Sequence, residues 1–67
     1  MTKHQAFSVA RRLSRHTHGT IYVLHHPEEF ETRRTGYQTA TDHEIEGYFG
    51  GAWDRVIAAY EDGNTVG

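Results

Sequence analysis

The chain has no cysteine. Disulfide frameworks, thiolate metal sites and cysteine nucleophiles are therefore excluded. It has no apolar run near the ~18 residues that a membrane span needs. The N-terminal segment lacks the apolar stretch of a signal peptide, so a cytoplasmic location is expected. No Gly-x-Ser-x-Gly, Walker loop or His-Glu-x-x-His occurs in it. Hydrolase, nucleotidase and metalloprotease chemistry thus have no sequence support. The length is also small. At 67 residues, one domain over 1–67 is expected, burying about 60% of its unfolded surface.

What is present suits a small globule. One Trp, four Tyr and three Phe supply anchors for a core, so the composition is not that of a disordered chain. Charge is unevenly placed. Residues 1–18 carry Lys3, Arg11, Arg12 and Arg15 and no acid, whereas residues 37–67 carry six acids against Arg55. The net charge is −2. This split predicts either two surfaces of opposite sign or neutralisation on folding.

Ala6, Val9, Ala10 and Leu13 recur at helical spacing, with Phe7 beside them. They predict a helix over about 3–16. Thr2 is its expected N-cap and Gly19 its expected stop. Thr20 to His26 is dense in β-branched and aromatic residues and predicts a strand. Ile21 and Val23 alternate with Tyr22 and Leu24, so both faces are apolar and the strand should be central. A turn at 26–29 and a return strand from Phe30 to Arg34 should follow, with Tyr37 to Ala40 continuing or ending it. Thr41-Asp42-His43-Glu44 is a capping box, which predicts a second helix at about 42–49.

Residues 54–61 fit two readings. Trp53, Val56, Ile57 and Tyr60 have helical spacing. Yet the run is short and lies between Gly50-Gly51 and Glu61-Asp62-Gly63-Asn64, the pattern of a buried strand. A two-stranded hairpin is marginal without a third strand, which favours the strand. The fold expected is therefore an α+β two-layer domain in the order α-β-β-α-β. It has a three-stranded mixed sheet and both helices on one face. The other face, with Tyr22 and Leu24, then lacks chain to cover it.

Six histidines invite a metal reading, first at His16, His18, His25 and His26, because neutral imidazole is a common ligand. Against it, His18 and His25 should stand ~20 Å apart along a straight strand, and adjacent His25 and His26 point to opposite faces. No ligand spacing is present, so neither metal nor cofactor is expected, and the histidines read as surface residues. Ser8 and Ser14 lie on the first helix without a nucleophile motif, so no catalytic residue is expected.

Two functional classes remain. The first is a non-catalytic protein-interaction or accessory module that buries Tyr22 and Leu24 against another protein or a second copy. The second is a weak nucleic-acid binder using Lys3, Arg11, Arg12 and Arg15 on the first helix. The second requires those cations on one exposed face, unpaired by Asp42, Glu44 or Glu46.

Overall fold

A computed structural model describes residues 1–26 and 36–66. Helix α1 covers Lys3–His16. Its start is closed from both sides: Thr2 Oγ1 accepts the Gln5 N–H at 3.2 Å, and Gln5 Oε1 accepts the Thr2 N–H at 3.0 Å. That reciprocal box satisfies a donor that every helix start leaves open, together with the cap's own N–H. The helix ends before Gly19. Thr17 is extended, and its N–H and hydroxyl both donate to Leu13 O, at 3.1 and 3.0 Å.

Four strands form one sheet: β1 (Ile21–His25), β2 (Tyr37–Ala40), β3 (Val56–Glu61) and β4 (Asn64–Thr65). Their order is β2-β1-β3-β4, and every neighbouring pair is antiparallel. Strand β1 is flanked on both sides, as its two apolar faces require. The expected mixed sheet of three strands is corrected in two respects. First, β2 and β3 run in the same direction but are separated by β1, so no parallel pair forms. Second, Glu61-Asp62-Gly63-Asn64 does not merely end β3. Asp62 and Gly63 both have positive φ, 53° and 82°, the geometry of a two-residue type I′ hairpin turn. The chain therefore folds back as β4.

The last ambiguity resolves as a strand. Trp53–Arg55 makes a single 3-10 turn, and β3 begins at Val56. The β1–β3 register slips by one residue between Val23 and Leu24. Val23 faces Ala58 and Leu24 faces Val56, so Ile57 is the extra residue of a β-bulge.

Helix α2 spans Asp42–Gly47, shorter than the expected 42–49. Its capping box is complete, with Thr41 Oγ1 accepting the Glu44 N–H and Glu44 Oε1 accepting the Thr41 N–H. The largest correction concerns where the helices sit. They pack on opposite faces of the sheet. Ala6 and Ala10 of α1 join Ile21, Val23 and Tyr60 in one core, with Phe7 and Ala58 packed against it. Ile45 of α2 joins Leu24 and Ala40 in a second core, against Tyr22, Phe49 and Val56. The even residues of β1 are apolar and need their own cover, and α2 supplies part of it. The expected turn at 26–29, from Pro27 on, and the return strand 30–34 lie outside the described residues. No helix among the described residues is long and apolar enough to cross a membrane.

Candidate functional site

The second sheet face is the first surface of interest. Leu24, expected at an open interaction face, is 0% exposed beneath α2. Tyr22 is half-buried, and the Trp53 ring meets it edge-on with centroids 5.1 Å apart. Trp53 is held there because its Nε1–H donates to Glu46 Oε1 at 2.6 Å. Thus α2 and Trp53 close the β2/β1 half of this face.

The β3/β4 half stays open. Ala58 and Tyr60 belong to the α1 core, so strand alternation turns Ala59 to the second face; the bulge at Ile57 breaks the alternation, and Val56 beyond it packs in the second core. Ala59 is the register partner of Tyr22. The Val66 N–H donates to Ala59 O at 3.0 Å, which places Val66 beside Ala59 on the same face. Ile57 is 47% exposed, Val66 43% and Trp53 39%. Tyr22, Ala59, Val66 and Trp53 therefore form one apolar patch, with the exposed Ile57 two residues from Ala59 on the same strand. Thr20, Glu61 and Asn64 form its polar margin, where Thr20 Oγ1 donates to Glu61 Oε2 at 3.4 Å. Sequence reasoning missed Ile57 and Val66. The available signal was the Asp62-Gly63 dipeptide, a hairpin turn that brings Val66 back beside β3.

The second surface is the outside of α1. Ala6, Ala10 and Ser14 face the sheet and are fully buried. Arg11, Arg12 and Arg15 are exposed. Lys3 is exposed at the helix margin, with Nζ 5.7 Å from the Phe7 ring centroid. Arg11 lies over the Tyr60 ring at 5.8 Å. Among the described residues no carboxylate comes within 4.0 Å of these four cations; the ion pair there is Arg55 with Asp54. Asp42, Glu44 and Glu46 sit on α2, across the sheet. Glu44 is engaged in the Thr41 cap and Glu46 with Trp53.

The histidines are scattered. His16 and His18 lie at the C-terminal end of α1, before β1 begins, while His25 and His26 lie at the far end of β1. His25 stacks on Tyr37 with centroids 4.1 Å apart, and His26 is buried beside Phe49. Among the described residues no three His, Cys, Asp or Glu side chains converge on a point that could hold a metal. Ser8 is exposed. Ser14 is buried and structural: its hydroxyl donates to Arg11 O at 2.8 Å and accepts the Gly63 N–H at 2.8 Å. Comparison with protein-family models, curated proteins and solved structures finds no match for this chain.

Proposed function

We propose that this chain is a small protein-interaction module whose first partner is a second copy of itself, joined through the β3/β4 half of the second sheet face. The observation that carries this reading is the apolar patch of Tyr22, Ala59, Val66 and Trp53, with the exposed Ile57 on the same strand as Ala59, left open where α2 ends. Apolar sheet surface gains free energy when it leaves water, at about 25 cal/mol per Å². Two flat sheet faces pack well at about 10 Å separation, with strands nearly aligned.

A second copy fits for reasons of charge and symmetry. Arg55 precedes β3 and Glu61 ends it. A two-fold axis lying between the two sheets, over the middle of β3, sets each Arg55, which also holds Asp54, towards the partner's Glu61 and lays Ile57 near the partner's Ala59. Such an interface is self-complementary, as cyclic dimers require. The patch is smaller than the ~800 Å² per partner of a standard interface, so association should be weak, about micromolar to millimolar.

Sedimentation or light scattering from about 10 µM to about 1 mM tests this. The mass should rise towards twice that of the chain. The double substitution Ile57→Ser, Val66→Ser should stay monomeric with an unchanged circular dichroism spectrum. A wild-type protein that is monomeric throughout, or a double variant that associates as readily, refutes the reading.

A further inference from the structure

We infer that the outer face of α1 binds the phosphate backbone of duplex nucleic acid without reading base sequence. Helical geometry aligns His4, Ser8, Arg11 and Arg15 at i, i+4, i+7 and i+11, with Gln5, Arg12 and His16 on the adjoining stripe. All seven are exposed. Each carries a polar or charged end, and none offers an apolar anchor. Protein partners are gripped mainly by buried aromatic or aliphatic anchors. Single strands are gripped by stacking on aromatic rings. These seven positions have neither, and Leu13, 39% exposed, lies at their flank beyond His16; the stripe suits a ligand that asks for donors and positive charge.

Phosphate meets both requirements. Guanidinium groups donate bidentately to phosphate oxygens, and Ser and Gln side chains add uncharged donors of the type that position a backbone. Arg11 and Arg15 stand about 6 Å apart along the helix, close to two phosphate steps of ~3.4 Å each on one strand.

The cations are also prepared for a ligand. No carboxylate of the described residues must first be displaced from Arg11, Arg12 or Arg15. The Arg11 guanidinium rests on the Tyr60 ring, and the Arg15 side chain lies against Gly63, where a Cβ would come within 2.9 Å of Arg15 Cγ. Side chains already ordered lose less entropy on binding. Among the described residues the acids of α2 occupy the opposite side of the sheet, and Asp62, in the turn against which Arg15 lies, forms no ion pair with it. This surface does not overlap the β3/β4 patch, and its availability does not depend on self-association.

Fluorescence anisotropy with a labelled mixed-sequence duplex of about 20 base pairs tests the proposal through its salt dependence. Three guanidinium contacts give a slope of log K against log salt of about −2.7, a loss of about 40-fold between about 50 and about 200 mM salt. The double substitution Arg11→Gln, Arg15→Gln should leave about one contact, reducing that loss to about three- to four-fold. A duplex of permuted sequence should bind equally well. Circular dichroism of the double variant confirms that it is folded. Three outcomes would overturn the proposal: no binding at low salt, a salt slope the double variant does not change, or tighter binding to a single strand than to the duplex. Equal displacement of the duplex by an acidic polypeptide at matched charge would overturn the assignment to phosphate.

Discussion

The two faces of the sheet are covered by helices of 14 and 6 residues, and this difference in length organises the molecule. At about 1.5 Å per residue, α1 is about 21 Å long and α2 about 9 Å. Four strands at about 4.8 Å spacing are about 14 Å across between outer axes. The longer helix can lie over the central strands and still reach the turn between β3 and β4. The shorter one ends over β2 and β1. The α1 side is also the more tightly joined. Ala6, Ala10 and Ser14 give that helix a narrow contact face, so its axis can approach the strands closely. Tyr60, 1% exposed, fills the space beside it and meets Phe7 edge-to-face at 6.1 Å. On the other side Ile45 is one branched residue on a helix of fewer than two turns, and Trp53 must be held in place by a carboxylate at the rim.

The comparison is broken most severely at Tyr60. Tyr60→Ala should cost about 3–5 kcal/mol, the range for removing a large buried ring, and this is enough to unfold a domain of marginal stability. Ile45→Ala should cost about 2–3 kcal/mol, the low end for a buried aliphatic side chain, because the short helix above it can settle into the space. Urea denaturation measures both. A greater loss at Ile45 than at Tyr60 would show that the shorter helix, rather than the longer, holds the more important core.

Next in size is the hydrogen bond joining α1 to the β3–β4 turn. Ser14→Ala removes the acceptor of the Gly63 N–H, a buried bond. Leaving that donor unmet should cost about 1–3 kcal/mol. Gly63→Ala attacks the same joint from the other side. It places a side chain at φ 82° and against Arg15, with about 1–2 kcal/mol of backbone strain before any displacement of the arginine. Amide exchange should show the turn at residues 61–65 losing protection in both variants. Unchanged protection would mean that the hairpin turn is stable without α1.

The elements written in contiguous residues were legible, and those arising from distant pairing were not. The stripe at residues 6–13 and the box at residues 41–44 act over one or two turns, so α1 and the start of α2 could be read directly. The short apolar run before Glu61-Asp62 forms the strand that its flanking punctuation indicates, over its competing helical stripe. Strand β4 escaped because two residues carry no periodicity, although Asp62-Gly63 is strong turn chemistry. The placement of α2 escaped for another reason. Its apolar residues, Ile45 and Phe49, fit either sheet face, and the choice is made by Leu24 and Tyr22 needing cover. The bulge at Ile57 depends on the register against Val23 and Leu24, which no local pattern encodes. Of the candidate residues, the exposure of Arg11, Arg12 and Arg15 outside α1 follows from helical spacing. The burial of Leu24 does not, because it depends on α2 crossing to the second face.

A smaller effect should separate the helices by their caps. Thr41→Ala removes the acceptor of the Glu44 N–H and should cost about 1 kcal/mol. In so short a helix that loss falls on most of its turns. Chemical-shift changes should extend through residues 42–49 and reach Tyr22 through Trp53, while those of α1 stay put. The equivalent change at the first helix, Thr2→Ala, should fray one turn of fourteen residues and leave the core unmoved. If both variants perturb Tyr60 equally, the two faces are not independent.

The smallest expected change in monomer stability is at the open patch, where its smallness is the point. Ile57 is 47% exposed, so Ile57→Ser gives up about half the burial of its side chain and should lower the stability of the dilute monomer by about 1 kcal/mol at most. Association adds a term that the monomer lacks. A partner that binds the folded chain raises its melting temperature as concentration rises. Wild-type protein should therefore melt higher at millimolar than at micromolar concentration, and Ile57→Ser should not. The gap between the two melting temperatures should be small when dilute and widen with concentration. A gap that is large at high dilution and does not widen with concentration would mean that Ile57 acts within the monomer, and association through this patch would be refuted.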